Sequence, residues 1–188
     1  LILSIVIIVI LILTSFFSYK VYRENIKEKL SDKYNSAIID YENNDLSKTI
    51  SIMKEIVKDK DNTYSPLALY FLIDNDLVDN KDEVNELFNI LINQTSLEFE
   101  IKNLIIYKKA LYNANSIDEN DLLKILNPLI NSESSWKSHA LYLIAEYFYS
   151  KNEKEKSKEF FDKIINTKNA NQDIIKEAQK RLIRDLSE

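Results

Sequence analysis

The chain has no glycine and no cysteine in its 188 residues, and only two prolines, Pro66 and Pro128. Without glycine, the positive-φ turns of tight strand hairpins lose their usual residue, and glycine-built phosphate loops and nucleophile elbows are excluded. Without cysteine there is no disulfide, no thiolate nucleophile, no cysteine-ligated metal and no lipid on an N-terminal cysteine. Histidine occurs once, at His139, so a metal there would have to recruit carboxylates alone, with Glu146 seven residues on as the candidate on its face. Cationic side chains are outnumbered: 25 Lys and Arg stand against 30 Asp and Glu, a net charge of −5. A phosphate-backbone surface needs clustered cations, so nucleic acid is excluded as a partner. No catalytic constellation, cofactor site, metal site or small-molecule substrate site is expected; acidic residues are plentiful, and a hydrolase with dispersed carboxylates is the one enzymatic alternative.

What is present begins with a long apolar run, "LILSIVIIVILILTSFFSY", uncharged until Lys20. It matches the roughly 20 apolar residues that a helix needs to cross a bilayer core. Residues 1–19 are therefore predicted to form a transmembrane anchor, with the lipid bilayer as a partner. Phe16, Phe17, Tyr19 and Tyr22 form an interfacial aromatic belt, and bulky "TSFFSYKVYRE" replaces the small-residue cleavage site of a secretory signal. The helix is predicted to continue through a juxtamembrane stretch, 20–30. Lys20, Arg23, Lys27 and Lys29 on that flank favour the cytoplasmic side, but the positive-inside rule compares both flanks and composition leaves the side open.

Residues 31–188 read as an all-α domain of four helical hairpins and a closing helix, because apolar residues recur at helical spacing between short polar runs. The predicted pairs are Ser31 to Tyr41 with Leu46 to Val57, Pro66 to Ile73 with Glu83 to Ile92, Leu97 to Ala114 with Glu119 to Ile130, and Trp136 to Tyr149 with Lys154 to Ile165. Asp173 to Leu186 closes the array. Ser65 before Pro66, Ser96 before "LEFE", and Ser116 with Glu119 read as helix starts, while Pro128 is expected to kink or end its helix. The second helices share a pattern, Met53 and Ile56, Phe88 and Leu91, Leu126 and Leu129, Phe161 and Ile164, at spacings of 35, 38 and 35 residues. That lies near the 34-residue tetratricopeptide period and predicts a tetratricopeptide-like α-solenoid, with Ala37, Ala110 and Ala145 where paired helices come close.

The tracts "DKYNSAIIDYENNDLSKTISIMKEIV", "YSPLALYFLID" and "LNPLINSESSWKSHALYLIAEYFYSKNEKEKSKEFFDKII" carry a further signal, with Pro128, Trp136, Lys137 and Ala140 in that order. They resemble the ancillary SecYEG translocon subunit family (YfgM-like) over nearly the whole chain. The resemblance implies a single-pass bacterial inner-membrane protein with a cytoplasmic N-terminal stub and a periplasmic tetratricopeptide-like domain. It implies translocon subunits, a membrane-anchored periplasmic chaperone and unfolded secretory clients as protein partners. A cell-envelope or cell-division coordinator built on the same repeats is the alternative.

The partner surface is expected on first helices. With Ala145 facing its paired helix, His139, Tyr142, Glu146 and Tyr149 fall at intervals of three, four and three on one side, the side that lines the inner curve of such arrays. Tyr34 and Tyr41 occupy corresponding places in the first hairpin. Large aromatics with a polar tip suit partner-binding surfaces, and tyrosines at helical spacing also serve as packing residues. The run "KNEKEKSKEFFDK" reads as a solvated helix face.

Overall fold

Asparagine and aspartate turn this glycine-free chain. In the computed structural model, which describes the backbone of residues 2–186 and the side chains of residue 8 and of residues 10–186, five non-glycine residues have φ of 50–62°: Asn44, Lys60, Asp76, Asn152 and Asn169. Asn and Asp tolerate this left-handed region because their short polar side chains bond locally. The described residues form nine helices and no strand: α1 (Ile2–Glu42), α2 (Leu46–Lys58), α3 (Tyr64–Asp74), α4 (Lys81–Gln94), α5 (Phe99–Asn113), α6 (Glu119–Ile130), α7 (Lys137–Ser150), α8 (Lys154–Ile165) and α9 (Gln172–Asp185). The all-α class and the predicted helix order are as read from the sequence.

Three first helices end in the same way. After α1, the Asn44 N–H donates to the Tyr41 carbonyl and the Asp45 N–H to the Asp40 carbonyl. Asp76 and Leu77 repeat this on Ile73 and Leu72, and Asn152 and Glu153 on Tyr149 and Phe148. Each is a Schellman closure with Asn or Asp in the place that glycine usually takes. The end of α2 uses a variant. The Lys60 N–H reaches the Val57 carbonyl, but the buried Ser65 hydroxyl intervenes in the second bond, accepting from the Asp61 N–H at 2.9 Å and donating to the Ile56 carbonyl at 2.6 Å.

That relay corrects the expected cap at Ser65: α3 starts at Tyr64, two residues before the expected Pro66, and the Asp61 carboxylate accepts from the Thr63 and Tyr64 N–H groups. The expected box of Ser116 and Glu119 is replaced by Asp118, next to the first helical residue, which accepts from the Asp121 N–H; Ser116 instead donates to the Asn113 carbonyl. Ser96 lies too far upstream to cap α5, which follows Glu98. Pro128 stands in the last turn of α6, so it removes a single bond near an end that falls at Ile130.

The chain divides into two compact units, Leu1–Ile90 and Leu91–Glu188, with the division falling in α4. In the first, α1 is one uninterrupted helix of 41 residues, and among its described side chains burial begins at Leu30. Its C-terminal part pairs with α2, and α3 packs on both. In the second unit α5 pairs with α6 and α7 with α8, α6 packs on α7, and α9 lies on α7 and α8. Among the described residues no helix is long and apolar enough to cross a membrane. The anchor expected over 1–19 includes residues 1–7 and 9, whose side chains lie outside the described set.

A four-residue core motif recurs. Ala37, Thr49, Met53 and Ile56 are fully buried, and so are Ala110, Leu122, Leu126 and Leu129, and Ala145, Ser157, Phe161 and Ile164. Leu72, Val84, Phe88 and Leu91 share the spacing and the burial. At Ala37 and Ala145 the close approach admits a side chain from the paired helix. Thr49 Oγ1 shares its proton between the Asp45 carbonyl at 2.9 Å and the Ala37 carbonyl at 3.2 Å, and Ser157 Oγ donates to the Ala145 carbonyl at 2.8 Å. A small residue with a hydroxyl opposite it therefore fixes the register of the first and last hairpins.

Candidate functional site

Of the four residues expected as a stripe on α7, Tyr142, Glu146 and Tyr149 are engaged by α8 and α9 within the second unit, and His139 stands apart from them. Phe161 lies below the ring of Tyr142, with centroids 5.4 Å apart and edge to face. Arg181 of α9 reaches the other members. Its Nε and Nη2 each stand 2.7 Å from an oxygen of Glu146, a fork-to-fork pair, and the guanidinium carbon lies 4.1 Å from the Tyr149 ring centroid. Nη1 donates to the Asp185 carboxylate one turn along α9. Arg181 keeps only 13% of its side-chain surface exposed, against 33% for Glu146.

The electrostatics follow from this geometry. Hydrogen bonding from Arg184, then from Arg181, holds the Asp185 carboxyl down at about 2, despite an opposing desolvation effect. The Arg181 guanidinium is held even more firmly protonated, first by its bonds to Glu146. Burial, then the negative charge of Glu146, pushes the Tyr142 phenol up to about 12. At neutral pH the stripe therefore presents a neutral phenol and a carboxylate already satisfied by a cation.

His139 belongs to a different cluster. Its ring is 5.0 Å from Trp136 and 5.9 Å from Tyr107, and Tyr107 stacks on Trp136 at 5.5 Å. Burial lowers the imidazole pKa, opposed by the Ser135 backbone, and buried Nδ1 has no hydrogen-bond partner of normal geometry. Among the described residues no three His, Asp or Glu side chains gather as a metal centre requires.

Tyr107 is the residue the sequence reading missed. It stands three positions before Ala110, as Tyr34 stands before Ala37 and Tyr142 before Ala145. That offset from the small residue was the available signal. In the first unit, Tyr34 lies 6.0 Å from Tyr64 and 6.4 Å from Phe71, while Tyr41 meets Phe71 edge to face at 5.2 Å. These tyrosines of α1 thus lie under α3.

Polar links tie α7 to its neighbours at both ends. The Glu100 carboxylate of α5 accepts from Ser134 Oγ at 2.9 Å, Ser135 Oγ at 2.7 Å and the Ser135 N–H at 3.3 Å. The Ser135 hydroxyl leads in holding the Glu100 pKa below its usual value. At the far end, Tyr147 Oη donates to the Ile117 carbonyl. Part of the charged run of α8 is also structural: Lys156 pairs with Glu119 of α6 and with Glu153, and lies over Phe148 at 4.8 Å.

Among the concave surfaces of the second unit, one has an apolar floor, with Lys163 Nζ 4.3 Å from the Phe160 ring centroid at its edge. This groove of about 520 Å³ is floored by Ile130, Leu141 and Phe160 and rimmed by Lys137, Glu159, Asp162 and Lys163. An apolar floor with a rim of both charges suits an apolar side chain flanked by polar backbone, as in peptide capture. Comparison with family models, curated proteins and solved structures finds no match to the chain.

Proposed function

We propose that the chain is a membrane-anchored helical-repeat scaffold that binds proteins, acting as an accessory factor at the secretion translocon with its soluble part in the periplasm. The observation that carries the anchor is the upper part of α1, where Ile8, Ile10, Leu11, Ile12, Leu13, Phe16, Phe17, Tyr19, Val21 and Tyr22 are each at least half exposed. They lie on every side of the helix, so no single docking face could cover them, whereas lipid could. Burying ten such side chains is worth on the order of 20 kcal/mol. The recurrence of the buried quartets near a 34-residue period supports a tetratricopeptide-like solenoid, and the groove floored by Ile130, Leu141 and Phe160 is the surface offered to a partner. Anchoring would raise the effective concentration of that surface near partners fixed in the same membrane.

Gentle detergent extraction followed by co-purification is the test. The full chain should bring down translocon subunits or a membrane-anchored chaperone, and Lys137→Glu with Phe160→Ala should lose them while keeping the helical signal. Recovery of division or envelope proteins in their place would favour the coordinator reading. A reporter active only in the periplasm, fused after Glu188, should be active; a silent, well-expressed fusion rejects the translocon role.

A further inference from the structure

Charge is distributed unevenly along α1. Between the exposed apolar stretch and Leu30, the helix carries Lys20, Arg23, Lys27 and Lys29 against Glu24 and Glu28, a net of plus two on a chain of net −5, which leaves minus seven elsewhere. Spacings of three and four put Lys20, Arg23 and Lys27 on one face, with Lys29 on the opposite one. Lys20 reaches Glu24 only at 3.9 Å with both side chains about two-thirds exposed, and Arg23, Lys27 and Lys29 extend into solvent.

We propose that Lys20, Arg23 and Lys27 bind the phosphate headgroups of anionic phospholipids at the surface from which α1 emerges, and that the helix up to Leu30 is a rigid spacer. The proposal rests on the membrane-anchor reading. Helical side chains slant toward the N-terminus, so the Lys27 stem, about 10 Å along the axis from Lys20, points back toward the bilayer. The headgroup layer is about 5–8 Å deep on each side, within reach of that long side chain. The spacer answers an electrostatic need. The rest of the chain is acidic and would be repelled by an anionic surface, and the ten helical residues rise about 15 Å, which leaves it about 7–10 Å beyond the headgroup layer, near one Debye length at physiological salt. The basic face and the acidic remainder thus act together, one gripping the surface and the other pushing away from it.

The full chain is reconstituted into vesicles of phosphatidylcholine with 30 per cent phosphatidylglycerol, and two properties are measured. Flotation after alkaline carbonate washing reports insertion, and spin-labelled phosphatidylglycerol against spin-labelled phosphatidylcholine reports lipid association. The expected result is insertion with a several-fold preference for phosphatidylglycerol that falls at high salt, since each juxtamembrane cation contributes up to roughly fivefold. Lys20→Gln with Arg23→Gln and Lys27→Gln should insert equally and lose the preference, while Lys29→Gln keeps it. Insertion without preference in the parent chain, or equal preference in the triple variant, overturns the headgroup site and leaves the anchor standing. Failure to float removes the anchor and the headgroup site together.

Discussion

The first and last hairpins place tyrosines at matching positions and cover them by different means. Tyr34 and Tyr41 of α1 meet Tyr64 and Phe71 of α3, an aromatic seam. Tyr142 and Tyr149 of α7 share their face with Glu146, and Arg181 of α9 closes it with a forked ion pair and a ring contact. The first seam holds by apolar burial, which salt scarcely touches, whereas the second adds a partly exposed charge pair that salt and acid can weaken. What the two share is the hairpin beneath, Ala37 bonded to Thr49 and Ala145 bonded to Ser157.

The largest effect should come from breaking the shared part. Ala37→Leu and Ala145→Leu each force a branched side chain against a paired helix and displace a buried hydroxyl, at a cost of about 3 kcal/mol in denaturant unfolding. If either is tolerated without loss, the close approach is not what sets that hairpin. Next come the seams themselves. Phe71→Ala should cost about 2–3 kcal/mol independently of salt, and Arg181→Ala about 2 kcal/mol, shrinking in 1 M salt. Equal salt dependence of the two losses would erase the distinction.

Acid should separate the seams further. Asp185 and Glu100 have lowered folded pKa values, so their contribution is complete above the unfolded carboxylate range, near 4. It is lost as pH falls through the folded values, for Asp185 toward about 2. Amide protection in α9 and the start of α7, measured relative to the intrinsic exchange rate at each pH, should therefore fall between about pH 4 and pH 2 before that in the middle of α3. Uniform loss of protection would contradict an ionic last seam. The smallest effect concerns the turns. Lys60 adopts a left-handed conformation for which lysine has no local bond to offer, so Lys60→Gly should stabilise by about 1 kcal/mol, and Asn152→Gly by only a few tenths.

The sequence carried the helices and the buried pattern well. Met53 with Ile56 and Phe161 with Ile164 are all fully buried, as their periodicity required; Ala37, Ala110 and Ala145 are fully buried too, and the first and last accept a hydroxyl from the paired helix. Local spacing was enough because each hairpin closes over a short separation. The caps were less legible, since a serine near a helix start can serve either the helix it precedes or the one before it, and Ser65 serves the end of α2. Least legible were contacts with no periodic trace. Glu100 meets Ser135 across 35 residues, and Arg181 meets Glu146 across 35, so neither pairing was visible until the fold placed them. The spacing of the stripe on α7 left both a partner surface and a packing role open, because nothing in it announced α9.

A double-mutant cycle on Glu146 and Arg181 tests the account of that last seam most directly. Glu146→Gln, Arg181→Gln and the pair, unfolded in denaturant at low salt, should give a coupling of about 1–2 kcal/mol that shrinks in 1 M salt. Coupling indistinguishable from zero at low salt would mean that α9 does not close the stripe by this ion pair.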